Sequence, residues 1–158
     1  MTADRPDHRL RLALVCSSGG HLLQMLRLRD AWEPYERLWV SFPTEDATSL
    51  LADEDVTWAH FPTNRNIPNL IRNLGLAWSF LRTERPDVVI STGAGVAVPF
   101  MWLARLFGVR TVYCESITRI HGLSRSGKLV SPIVDKLYVQ WPEVAESHRR
   151  AEYGGSIL

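Results

Sequence analysis

Cysteine is scarce in this chain. Only 2 occur in 158 residues, which excludes a small secreted scaffold stapled by disulfides. An excess of charge of one sign is also lacking. Lys and Arg number 18 against 17 Asp and Glu, leaving +1 with histidine neutral. A protein that holds nucleic acid by neutralising phosphates carries a clear basic surplus, so no nucleic-acid partner is expected. Long apolar runs are missing as well. The longest candidate, residues 94–104, is stopped by Arg105, short of the roughly 18 apolar residues of a membrane-spanning helix. The apolar stretch 12–16 is too brief for a secretory signal. The expected compartment is therefore the cytoplasm, with peripheral attachment to a membrane left open.

Several chemical signatures are absent. No G-x-x-x-x-G-K-[ST] occurs, which removes a P-loop ATPase. The segment Ser17-Ser18-Gly19-Gly20-His21-Leu22 lacks the G-x-G-x-x-G spacing of a dinucleotide fingerprint, and the second apolar run ends in Ser41 instead of an acid for a ribose. Neither a metal-type Cys/His spacing nor a G-x-S-x-G elbow is present. No cofactor and no metal are expected.

What the chain does have is alternation. Short apolar runs at 10–17, 37–41, 56–61, 87–91, 110–115 and 136–140 predict six strands. Between them, 21–31, 44–52, 67–83, 96–107 and 123–134 predict helices, the last broken by Pro132. Residues 141–158 predict a short helix and a tail. Near-continuous apolar strands separated by helices predict an α/β fold: one Rossmann-like doubly wound parallel sheet of order 3-2-1-4-5-6. No linker or repeat divides the chain, so 1–158 is expected to form a single domain, with 1–9 and 154–158 flexible. Cys16 and Cys114 end strands one and five. Strand four would hold them about 9.5 Å apart, too far for a disulfide.

In such a sheet, ligands bind beyond the carboxyl ends of the strands where the order reverses, here between strands one and four. Their loops are Ser17-Ser18-Gly19-Gly20-His21 and Ser91-Thr92-Gly93-Ala94-Gly95. Small residues and two helix starts suit an anion such as a phosphate or diphosphate. His21 has the chemistry of a general base or a phosphate holder; its plainer role is to brace the loop. Glu115, ending strand five, is a base, a hydroxyl holder, a cap or a partner for Arg119. Ser116, Arg119, Gln140 and Trp141 are candidate cleft walls. The helices 67–81 and 96–107 carry more apolar residues than one buried stripe needs, which points to a partner or an interfacial membrane face.

Taken together, Ser17-Ser18-Gly19-Gly20-His21 with Gln24-Met25, the 91–95 loop, Tyr113-Cys114-Glu115-Ser116 followed by Ser124-x-x-Gly127-Lys128-Leu129, and residues 137–142 resemble one family. The chain is similar, from residue 12 to about 158, to the Alg14-like proteins, among them bacterial PssD- and EpsE-type polysaccharide-biosynthesis subunits. These in turn resemble the N-terminal half of a MurG-type GT-B glycosyltransferase. The resemblance implies an acceptor-binding, membrane-docking subunit at the inner face of the cell membrane. A separate Alg13-like chain would supply the nucleotide-sugar half. Together they would transfer a sugar, from a UDP-sugar, to a polyprenyl-diphosphate-linked saccharide without a bound metal. By the same resemblance Gly19, Gly20 and His21 face the lipid diphosphate, Gly93, Ala94 and Gly95 form the second glycine loop, and Glu115 is the acid after strand five. Whether His21 or Glu115 takes the acceptor proton is left open. Eukaryotic members begin with a membrane anchor, whereas this chain starts with a short polar segment. Two other readings stand beside this one: a non-catalytic scaffold that recruits the donor-binding chain to a membrane, and a self-sufficient nucleotide-sugar enzyme.

Overall fold

The computed structural model describes residues 9–157. Seven parallel strands form one sheet: β1 (Arg11–Cys16), β2 (Glu36–Ser41), β3 (Val56–Trp58), β4 (Val88–Gly93), β5 (Arg110–Cys114), β6 (Lys136–Val139) and β7 (Ala151–Tyr153). Their order is β3-β2-β1-β4-β5-β6-β7. The predicted order is thus present, with one further strand at its β6 edge. The helices are α1 (Gly20–Arg27), α2 (Arg29–Trp32), α3 (Glu45–Leu50), α4 (Ile67–Glu84), α5 (Ala97–Leu106), α6 (Arg125–Val130) and α7 (Pro142–Ser147).

Alternate residues of the central strands serve two cores. Ala13, Val15, Val40, Val89 and Tyr113 face α4 and α5. Leu12, Leu14, Cys16 and Trp39 face α1, α2 and α3 with Leu22, Met25, Trp32 and Leu51. This two-sided burial is why the strands read as continuous apolar runs. Cys16 and Cys114 are free and buried, with β4 between their strands. Burial pushes both thiols up to about 12, so neither is a nucleophile near neutral pH.

Four local differences from the sequence expectation have identifiable causes. The first helix divides at Leu28, because the Trp32 indole donates to the Met25 carbonyl at 2.8 Å and Leu28 N–H closes a tighter turn onto the same oxygen. β3 stops at Trp58, since Asn73 of α4 takes both main-chain groups of His60 at 2.8 Å each. β4 runs on to Gly93, where a register shift pairs Cys16 with Gly93. The three residues of β7 are too few to show a period, and they pair with Leu137, Tyr138 and Val139 of β6.

The expected looseness of the N-terminal residues falls, for 1–8, outside the described residues. At the other end, Gly154 N–H donates to Val139 O at 3.0 Å and Ile157 N–H to Gln140 Oε1 at 2.7 Å. The sheet is only half covered on the α1–α2 side. There Ile90, Val112, Cys114 and Tyr138 line an apolar depression of about 240 Å³.

Candidate functional site

The loops after β1 and β4 meet at two reciprocal hydrogen bonds. His21 Nδ1 lies 2.7 Å from the Thr92 carbonyl, and Thr92 Oγ1 donates to the His21 carbonyl at 2.6 Å. A carbonyl only accepts, so Nδ1 carries the proton, and it is Nε2 that holds the lone pair whenever the ring is neutral. That is the tautomer a general base needs. Gly93 packs against the ring: a Cβ there would sit 2.9 Å from His21 Cε1 and 3.2 Å from the Tyr113 hydroxyl, at a φ of +115°. Gly93→Ala is expected to cost about 1–3 kcal/mol of stability through backbone strain and to displace the imidazole. Thermal melts and turnover of the variant should both fall.

His21 stands between two open cavities. One, of about 380 Å³, is lined by Ala94, Ser116, Thr118, Arg119, Leu123, Ser124, Arg125, Ser126 and Lys128. The other, of about 450 Å³, is lined by Gly20, Leu23, Gln24, Arg27, Ser116, Ile117, Thr118 and Ile157. Ser116 and Thr118 border both, and Arg119 borders the first. Gln140 and Trp141, two candidate cleft walls, line neither of these two cavities.

Glu115 is 1% exposed and its carboxylate is engaged on both oxygens. Oε1 accepts from Ser116 N–H at 2.9 Å; Oε2 accepts from Ser124 N–H at 2.8 Å and Ser124 Oγ at 2.9 Å. Ser124 Oγ also caps α6 by accepting from Gly127 N–H at 2.9 Å. Only glycine fits at 127, because a Cβ would collide with Glu115 Oε2. The carboxylate therefore ties both ends of the segment 116–124 to the end of β5. The pairing with Arg119 considered from the sequence is not among its contacts.

A second brace joins Gln24, which sequence reasoning did not place in the site, to the candidate wall residues Gln140 and Trp141. Gln24 Oε1 accepts from Ile117 N–H at 3.0 Å and from Gln140 Nε2 at 2.7 Å. Gln140 Nε2 also reaches the Glu115 carbonyl at 3.0 Å, and the Trp141 indole donates to Ile117 O at 2.7 Å. Gln140 and Trp141 thus hold the β5–α6 loop from behind. Gln24 was visible only as part of a motif.

The glycine loops are partly occupied by the protein itself. Gly19 N–H donates to Asp46 Oδ2 at 2.8 Å, and Gly93 N–H to Ser91 Oγ at 3.0 Å. The Thr44 hydroxyl and the Gly19 amide hold the Asp46 carboxyl below the usual carboxylate range. Ser17 Oγ donates to the Ser18 carbonyl at 3.2 Å. Gly95 is pressed by Thr63, whose Oγ1 would lie 2.9 Å from an added Cβ.

A parallel Rossmann-like sheet whose first and fourth loops converge on a histidine defines one half of a GT-B-type fold. MurG from Acinetobacter baumannii superposes with a TM-score of 0.72 at 17% identity, covering 85% of this chain and 43% of that one. UDP-N-acetylglucosamine 2-epimerase from Rickettsia bellii does so with a TM-score of 0.73 at 13% identity, covering 95% and 46%. The chain spans less than half the length of these solved structures. The family described as "Oligosaccharide biosynthesis protein Alg14 like" matches residues 62–157, and the chain belongs to this family. Among its relatives is the UDP-N-acetylglucosamine transferase subunit ALG14 of Candida albicans, 27% identical over 172 residues, covering 94% of this chain and 78% of the relative.

Proposed function

We propose that this chain is the acceptor-binding half of a two-chain glycosyltransferase. The pair moves a sugar from a UDP-sugar, with UDP-N-acetylglucosamine the first to test, to a saccharide carried on a polyprenyl diphosphate. One observation carries the reading: two strand-end loops lock a single histidine in base-competent form at the mouth of a polar cavity. Two others support a second chain. The Candida relative is named as a subunit. The apolar sheet face over Val112 and Tyr138 is only half covered, whereas parallel sheets are normally covered on both faces. The partner is an Alg13-like donor-binding chain.

In this reading the acceptor hydroxyl attacks the donor's anomeric carbon. The new carbon–oxygen bond forms as the bond from that carbon to the nucleoside diphosphate breaks. The hydroxyl proton passes to His21 Nε2, and the nucleoside diphosphate leaves on the partner's side. Glu115 is a positioning residue, since its oxygens are committed to Ser116 and Ser124. Co-purification of the chain with its partner, followed by transfer of labelled sugar to a polyprenyl-diphosphate-linked acceptor, tests the assignment. Tight saturable UDP-sugar binding and transfer by the isolated chain would instead favour a self-sufficient enzyme.

The apolar surface supports docking at the inner face of the cell membrane. Among the described residues no helix is long and apolar enough to cross a membrane. Yet α4 turns Ile67, Leu70, Ile71, Leu74 and Trp78 outward, Ile67 being 68% exposed. Its inward side begins with Asn69 and Asn73, which are used up on the backbone of Pro62 and His60. The outward face is therefore the more apolar one over the first two turns, the reverse of an ordinary surface helix. It continues through the Trp78–Phe107 ring contact at 5.0 Å to Trp102, whose indole meets the Leu129 carbonyl at 3.2 Å. Arg72, Arg82 and Arg105 flank it, as at an interfacial lipid surface. The double substitution Ile71→Glu with Leu74→Glu is expected to lower co-flotation with anionic vesicles about tenfold or more, with the melting temperature unchanged. Undiminished flotation would remove this face from membrane docking.

A further inference from the structure

Two of the glycine-loop amides, at Gly19 and Gly93, already have internal acceptors, which leaves these loops fewer donors for a multiply charged anion. The cavity of about 380 Å³ beside His21 supplies others. Three of its lining residues, Arg119, Arg125 and Lys128, are cations. None of them forms an ion pair among the described residues. Arg11, Arg29, Arg37, Arg105 and Lys136 all do. The carboxylate behind the cavity wall, Glu115, is engaged by Ser116 and Ser124 and is 1% exposed. Ser116, Ser124 and Ser126 add hydroxyls to the lining. Three cations, with no aspartate or glutamate among the residues lining the cavity, form a site for a multiply charged anion.

We propose that Arg119, Arg125 and Lys128 seat the diphosphate of the lipid-borne acceptor, while the glycine loops serve mainly to hold His21. The inference rests on the acceptor-half reading and names where in that half the lipid's charge is held. A diphosphate reaches such a site from one of two molecules, the lipid carrier or the nucleotide donor. The position favours the carrier. Lys128 is followed by Leu129, 56% exposed, which Trp102 joins to the outward apolar face. A prenyl chain leaving the cavity past Lys128 therefore meets the lipid-facing surface directly.

The test is equilibrium binding to the full chain, by titration calorimetry, with farnesyl diphosphate, inorganic pyrophosphate and UDP as probes. Farnesyl diphosphate and pyrophosphate are expected to compete for one site whose affinity falls with salt. Arg119→Gln, Arg125→Gln and Lys128→Gln should each weaken farnesyl diphosphate about tenfold, as expected for loss of one charge-assisted hydrogen bond, and the triple variant should abolish binding. Arg29→Gln removes the same charge on α2 and should change nothing beyond twofold. Affinity within twofold of the parent in the triple variant, equal loss in Arg29→Gln, or UDP binding tighter than farnesyl diphosphate would each overturn the proposal. Sugar transfer by the pair reports on the acceptor-half reading separately. Transfer with an unchanged acceptor KM in the triple variant overturns the anion seat and leaves that reading intact. Loss of farnesyl diphosphate binding in the triple variant supports the seat even where no transfer is found.

Discussion

Replacing His21 with alanine is expected to lower the turnover of the reconstituted pair by roughly a hundredfold to ten-thousandfold, the usual contribution of a positioned general base. The argument is geometric. The ring is held at Nδ1 by a main-chain carbonyl, at 2.7 Å, an acceptor that no side-chain substitution removes. The same loop is pinned a second time by the Thr92 hydroxyl. His21 is thus fixed in both tautomer and position before substrate arrives. Folding should survive the change. The ring is half-buried, and the Thr92 carbonyl loses one partner, a cost of about 1 kcal/mol. The measurement is kcat at saturating donor and acceptor, beside a thermal melt and a partner pull-down. Parent-level kcat with the histidine gone would end its assignment as base.

Glu115 is expected to behave differently. Alanine there leaves the Ser116 and Ser124 amides and the Ser124 hydroxyl facing an empty, buried space. Stranding them, together with loss of a buried charge–dipole cluster, is expected to cost about 3–5 kcal/mol. That is a large share of the 5–15 kcal/mol that holds a typical domain together, so the alanine variant should be marginally folded and inactive. Glutamine keeps the shape and one acceptor oxygen but sets an amide N–H₂ against a donor. Glu115→Gln should fold with about 1–3 kcal/mol less stability, a raised acceptor KM and a kcat close to the parent's. A collapse of kcat at unchanged KM and melting temperature would show that the carboxylate touches the reacting atoms.

These two residues also show what was legible in the sequence. The strands followed from apolar runs stopped by glycine, proline and polar loops, while their order, and with it the meeting of His21 and the 91–95 loop, came from the doubly wound pattern and its switch point. β7 escaped because three residues carry no period. Glu115 was noticed for its place at a strand end. Its role could not be read, since the donors that consume it include Ser124, nine residues further on. Asp46 was invisible as a loop partner for Gly19, because that contact joins residues 27 positions apart. Arg125 and Lys128 lie on a six-residue helix, where charges ordinarily face solvent. Only the cavity they line distinguishes them from any other exposed pair. Gln24 and Gln140 are separated by 116 positions, beyond the reach of any local pattern.

One consequence concerns length. The outward apolar helices and the cationic rim are built on one sheet, so in the proposed docking the height of His21 above the headgroup plane would be set by the protein. A carrier whose diphosphate is pinned at the rim presents its sugars along a fixed line. The residue that meets the imidazole is then decided by how many units separate it from the diphosphate. The subunit would act as a ruler, admitting acceptors of one saccharide count and passing over both shorter and longer ones, whatever the length of the isoprenoid tail.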